Sequence, residues 1–236
     1  MANTANLGLP LVMEAQAQKH VTVNAALARL DAVCKTTLLS VTQTTPPVSA
    51  VDGAAYGVPQ GASGVWAAEV GKLAVFDNGG WVYVTPAAGW RGWVADQGVP
   101  VLHDGQGWVA HAVAVSPNGA ASLMQVIEVD VPVGTGASVT TAAIIPARSV
   151  VLGVTGIVTS AVSGACSSWR LGVPGGSGQY GTGLGLGLGS WVEGLSGQPQ
   201  AFYADTPLLI EAEGGSFAVG NLRLAVHLMR LQVPRV

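Results

Sequence analysis

Apolar residues recur at helical spacing in a single stretch, residues 11–35. There Val23, Leu27, Leu30 and Cys34 fall at i, i+4, i+7 and i+11, with Ala26 and Val33 beside them on one face. Thr22 stands where an N-cap would, its hydroxyl able to accept a bond from an orphan N–H of the first turn, although Ala25 replaces the Glu of a capping box. The run of Thr and Pro from Thr36 to Pro47 then ends the helix and reads as an extended linker. Beyond Gly53 the period changes. Short apolar segments are punctuated by Gly, and one unit occurs twice: Leu73–Phe76 runs into Asp77-Asn-Gly-Gly-Trp81, and Val99–His103 into Asp104-Gly-Gln-Gly-Trp108. An apolar strand, an Asp-x-x-Gly turn and a Trp opening the return strand make a β-hairpin, because Asp bonds its own backbone and Gly supplies positive φ.

A turn cluster at Ser116-Pro117-Asn118-Gly119 separates this region from a series of apolar runs with no helix between them. They are Met124–Val131, Ser138–Ile144, Val150–Thr159, Ser167–Val173, Leu184–Val192, Gln200–Ala204, Leu208–Glu213, Phe217–Val219 and Leu222–Val233. In the last, Leu222, Leu224, Val226 and Leu228 alternate with Arg223, Ala225, His227 and Met229, the period of a half-buried strand. The glycine-rich segment Pro174–Gly189 is either a flexible loop or a place where backbones approach closely. The predicted fold is mainly β: a short N-terminal helix, a small Trp-rich β-hairpin domain, then a C-terminal β-sandwich of jelly-roll type. The corresponding boundaries are 1–40, 41–115 and 116–236.

Charge changes the picture from a fold to a setting. Lys plus Arg number 10 and Asp plus Glu 13, which is 10% of 236 residues, with a net charge of −3. A 23.8 kDa monomer exposes roughly 9,900 Å², leaving about 430 Å² per charge where average composition gives about 170 Å². A surface so poorly charged is expected to be covered by copies of the chain or by a larger assembly. The deficit of basic residues excludes a nucleic-acid surface. Ser149–Trp169 is uncharged and long enough to span a bilayer, but its Gly, Ser, Thr and β-branched residues read as two strands and a turn, so no membrane insertion is expected. The N-terminus lacks the basic and apolar regions of a signal peptide, which points to synthesis in a reducing cytoplasm.

Candidate chemistry is sparse. Cys34 and Cys166 are unpatterned, and the four His residues (20, 103, 111 and 227) have no metal spacing, with His103 and His111 reading as surface positions. No cofactor, metal or catalytic residue is assigned. The carboxylate pairs Glu128/Asp130 and Glu211/Glu213 each share a strand face and would read as solvated faces, an acid pair or a Ca²⁺ site. Five of seven Trp residues (66, 81, 90, 93 and 108) lie within the hairpin region. They either form the core of a small β unit or present platforms on which sugar rings stack. In the second case Trp81, Trp90, Trp93 and Trp108 carry the binding, with Arg91 bonding a hydroxyl or carboxylate.

Two segments carry a resemblance. Leu7-Gly8-Leu9-Pro10 with Gln16-Ala17-Gln18-Lys19-His20-Val21-Thr22, Asn24, Ala26-Leu27 and Leu30-Asp31-Ala32 resembles the opening of an uncharacterised family. That family occurs in bacteriophage tail-fibre proteins and in head-spike or fibre proteins of gene transfer agents. The segment 54–109, with Gly89-Trp90-Arg91-Gly92-Trp93-Val94-Ala95-Asp96 and both hairpins, is similar to it as well, so the likeness spans about residues 7–110. Ala25 stands where the family tends to carry Glu. The resemblance implies a component of a phage-like particle, attached to capsid or tail proteins and meeting a host-surface glycan such as a capsular polysaccharide. Val23, Leu27 and Leu30 would form its attachment or oligomerisation face, in a homotrimer by preference or a pentamer at a five-fold mount. The alternatives are a stand-alone carbohydrate-binding module and a polysaccharide depolymerase using one of the carboxylate pairs.

Overall fold

A computed structural model describes Thr4, Leu9, Leu11, residues 19–34 and residues 36–236. The chain divides into two compact units, one of residues 1–121 with Val233–Val236 and one of Ser122–Gln232. The second is thus inserted into the sequence of the first.

In the first unit, helix α1 (Lys19–Cys34) is followed by β1 (Thr37–Leu38), β2 (Ala55–Gly57), β3 (Leu73–Asp77), β4 (Gly80–Val84), β5 (Arg91–Val94), β6 (Val99–His103), β7 (Trp108–Ala110) and β8 (Ala112–Val115). Thr22 is inside α1 and is not its cap; residues 12–18 and 35, over which the helix was also expected, lie outside the described residues. The segment read as a linker is extended but not free. Leu38 is fully buried, and β1 pairs in parallel with β5 through Thr37↔Trp93 and Leu38↔Val94, because an apolar pair inside the Thr run has a sheet edge to join. Strands β2-β3-β4 form one sheet and β1-β5-β6-β7 another.

Both expected hairpins form. In the first, Asp77 pairs with Gly80 around Asn78 (φ 48°) and Gly79 (φ 77°), the two-residue turn with both central residues left-handed. In the second, the Asp104 carboxylate accepts the N–H groups of Gln106 and Gly107, each at 2.9 Å, and His103 pairs with Trp108.

The second unit holds β9 (Ala121–Val133, beginning one residue before it), β10 (Ser138–Thr140), β11 (Ser149–Gly164), β12 (Ser168–Val173), β13 (Gly176–Leu184), β14 (Trp191–Phe202), β15 (Leu209–Glu213) and β16 (Phe217–Gln232). One sheet runs β14-β11-β16-β9 and the other β10-β15-β12-β13. Every connection but β12–β13 crosses between sheets, which is the double Greek key of a jelly roll. Its core includes Val154, Val158, Trp169, Leu171, Leu208 and Ile210, with Leu222, Leu224, Val226 and Leu228 all inward as their alternation required. The uncharged stretch Ser149–Trp169 is strand β11, a turn and the start of β12, the two strands and turn its composition suggested, and none of the described helices is long and apolar enough to cross a membrane.

The expectation of a strand over Leu184–Val192 fails, and Pro174–Gly189 is not a loop throughout. Most of the glycine-rich segment is β13, while 185–190 turns back into β14. Positive φ at positions such as Gly178 (70°) and Gly183 (65°) accounts for glycines within the segment, and its backbone also presses on flanking strands whose own glycines leave it room. A Cβ on Gly172 would collide with the carbonyl oxygen of Gly176, and one on Gly194 with that of Tyr180.

Candidate functional site

The Trp residues of the first unit separate into two roles. Trp66 is fully buried, and its ring lies 5.0 Å from Trp81 and 5.2 Å from Tyr56, while Phe76 packs 5.1 Å from Trp81. These rings form a small core of their own, with Val58 and Ala74. Trp90 and Trp108 are half-buried against the neighbouring core of Leu38, Val94 and Val101. Trp108 lies edge-on to His103 at 5.0 Å, and Gly57 admits its indole: a Cβ there would come within 2.7 Å of Cδ1. Trp93 is the exception at 47% exposed. It shares the outer face of β5 with exposed Arg91 at i−2 and stands opposite Pro100. The chain therefore does not gather Trp81, Trp90, Arg91, Trp93 and Trp108 into one platform; Arg91 and Trp93 are the pair open to solvent.

His103 is buried, not at the surface, because the hairpin turn folds over it. Its Nδ1 accepts the N–H of Gly105 at 3.2 Å. Burial lowers its pKa, against the opposing pull of the Asp104 charge. Asp104 is buried as well. Burial alone would raise its pKa, but Arg235 (Nη1 to Oδ2, 2.5 Å) and the two turn N–H groups outweigh burial and hold it below its ordinary value. The segment Val233–Val236 is held to this unit by that pair and by Arg235 N–H to the Asn118 carbonyl at 2.7 Å.

On α1, small residues face the sheet. Ala25, Ala28, Arg29 and Ala32 line a cavity of about 80 Å³ with Val75, Asp77, Val82 and Val84. Asp31 is buried and accepts the Thr4 hydroxyl at 2.8 Å. The expected apolar stripe lies elsewhere. Val23 and Leu30 are exposed, Leu27 half-buried and Cys34 exposed.

The carboxylate pairs of the sandwich both have cationic or hydroxyl partners. Glu211 accepts Arg170 in two bonds of 3.2 and 3.3 Å and bonds Ser177; Glu213 accepts the Ser168 hydroxyl at 2.7 Å and the Gly183 N–H at 2.8 Å. Hydrogen bonds from Ser177 and from Ser168 lower the respective pKa values. On the other sheet Asp130 takes a bidentate grip from Arg223 at 2.7 and 2.9 Å, with Glu128 3.6 Å from the same guanidinium; the Arg223 bond lowers the Asp130 pKa. No group of three or more His, Cys, Asp or Glu among the described residues could hold a metal.

That second grip borders a feature the sequence did not disclose. On the outer face of β14-β11-β16-β9, Trp191, Ile157 and Arg223 are direct neighbours across three strands. They border an open depression of about 330 Å³, lined also by Thr155, Gly156, Val192, Glu193, Ala225 and Glu128. Trp191 is 68% exposed, and Thr155 Oγ1 lies 3.0 Å from His227 Nε2 beside it. The only sequence signal was Trp191 itself, at the rim of a glycine-rich run and far from its partners.

No curated protein matches the chain. Among solved structures, one from the cyanophage Pam1 capsid asymmetric unit shares 19% identity with it over 46% of this chain and 86% of that one, at a TM-score of 0.36, too loose a likeness to bear on function. Residues 23–109, which span α1 from Val23 and both hairpins, match the model of a family described as "Protein of unknown function (DUF2793)".

Proposed function

We propose that the protein is an oligomeric structural subunit on the surface of a phage-like particle, mediating adsorption to a host glycan without cleaving it. The observation that carries the oligomer is the outward stripe of α1. Val23, Leu27, Leu30 and Cys34 follow a 4-3-4 spacing, the seam of a coiled coil, and the helix meets its own sheet with alanines instead. A chain with 10% charged residues that also leaves such a stripe open favours burial against copies of itself. The particle setting is supported by the sequence resemblance over residues 7–110; the family matched over 23–109 has no described function.

Light scattering on the purified chain tests the oligomer. The expected mass is that of a trimer, with a pentamer the other closed ring, and the double variant Leu27→Asp, Leu30→Asp is expected to reduce it to a monomer of 23.8 kDa. A wild-type monomer at all concentrations overturns the reading. It would favour a stand-alone carbohydrate-binding module, for which the open Arg91–Trp93 pair is the supporting observation.

A further inference from the structure

We infer that the depression beside Trp191 on the sandwich binds a neutral pyranose unit of a polysaccharide, an inference that rests on the reading of the protein as a glycan-adsorbing subunit. Burying a large aromatic side chain stabilises a fold. Trp169 of the same unit is fully used in that way, at 1% exposed, whereas Trp191 is 68% exposed on edge strand β14. Its indole offers a flat apolar surface to the C–H face of a sugar ring. Ile157, Gly156 and Ala225 line the depression beside it, so a ring stacked on Trp191 meets further apolar surface. The rim is polar. Glu193 and Glu128 in the lining carry carboxylates able to accept hydroxyl protons, and Thr155 stands directly opposite Glu193 on the neighbouring strand.

The charges decide which sugar. Arg223 is the cation of the lining, and Asp130 already holds it in two parallel bonds, with Glu128 close behind. It has little positive potential left for a carboxylate on a ligand. With Glu193 added, the acidic groups around the depression outnumber the guanidinium, so a uronic or sialic acid meets repulsion while a neutral hexose or N-acetylhexosamine does not. In the first unit, by contrast, exposed Arg91 forms no side-chain hydrogen bond or ion pair among the described residues, and with exposed Trp93 beside it would suit an acidic sugar.

Calorimetric titration of the full chain with cellohexaose, mannohexaose, chitohexaose and hexagalacturonate tests the assignment. At least one neutral hexasaccharide is expected to bind and hexagalacturonate to fail. Trp191→Ala is expected to weaken binding about tenfold or more, as truncating a central aromatic anchor does, and Trp191→Phe to recover part of the loss. Tyr203→Ala, which removes an exposed aromatic outside the depression, is expected to leave affinity unchanged. Binding that survives Trp191→Ala but falls with Trp93→Ala, or that is confined to hexagalacturonate, overturns this site and leaves glycan adsorption standing. Failure of every oligosaccharide to bind overturns both. A Trp191→Ala variant that loses its oligomeric mass identifies the face as a subunit contact and likewise overturns the inference.

Discussion

Asp104 shows how much one side chain can be asked to hold. Its carboxylate closes the second hairpin through two backbone N–H groups and anchors residue 235 through a guanidinium, while the burial that makes these bonds strong also makes the charge costly to leave alone. Arg235→Ala is expected to destabilise the first unit by about 1–3 kcal/mol, the cost of a buried polar group losing a partner. Denaturant unfolding followed by Trp fluorescence measures it. Acid is expected to act in the same place in two steps. The lowered pKa of His103 means that the unfolded chain takes up its proton first, so stability from that residue is complete above about pH 6.5 and falls as pH drops toward the folded value. The lowered pKa of Asp104 adds a contribution complete above about pH 4 and lost below it. His103→Phe, which cannot take up a proton, is expected to remove the upper step of the pH–stability curve and leave the lower one.

Elements differ in how openly their sequence declares them. Strand β16 could be read residue by residue, because four aliphatic side chains alternate with Arg223, Ala225, His227 and Met229 and all four are buried. The hairpins were equally legible, since Asp77-Asn-Gly-Gly and Asp104-Gly-Gln-Gly encode turns by local chemistry. Strand β13 was not, because a strand chosen for close backbone approach has few side chains with which to show a period. The same crowding makes a prediction. Gly194→Ala places a methyl against the Tyr180 carbonyl, where no rotamer can relieve it, and is expected to cost about 1–3 kcal/mol in the thermal unfolding of the sandwich. Helix α1 was legible on one face only. Its larger apolar residues mark a face, but the close contact with β3 and β4 is made by alanines, whose small size leaves little periodic signal. The depression at Trp191 was illegible for lack of any local signature. Ile157, Trp191 and Arg223 meet only because β11 is flanked by β14 and β16.

At the level of the molecule, the jelly roll begins and ends on strands that are neighbours in one sheet, β9 and β16. Its ends are therefore brought together by its own hydrogen bonds, and its core is drawn from its own residues. Residues 122–232 expressed alone are expected to fold as a cooperative β unit, checked by a single thermal transition in circular dichroism and dispersed amide proton signals. The complementary piece, 1–121 without the returning segment, is expected to be less stable than the same unit in the full chain, because Asp104 then lacks Arg235.

The pair Asp104–Arg235 also sets an order of events during synthesis. The two residues are 131 positions apart, and every strand of the sandwich is encoded between them. A ribosome that has just finished the hairpins has made a buried carboxylate whose counter-charge does not yet exist. The first unit reaches its final stability only after the sandwich has been made, so the outward stripe of α1 becomes firmly presented late. If that stripe is the subunit seam proposed above, chains would then meet one another with the sandwich already complete, and not as half-made chains on the same messenger.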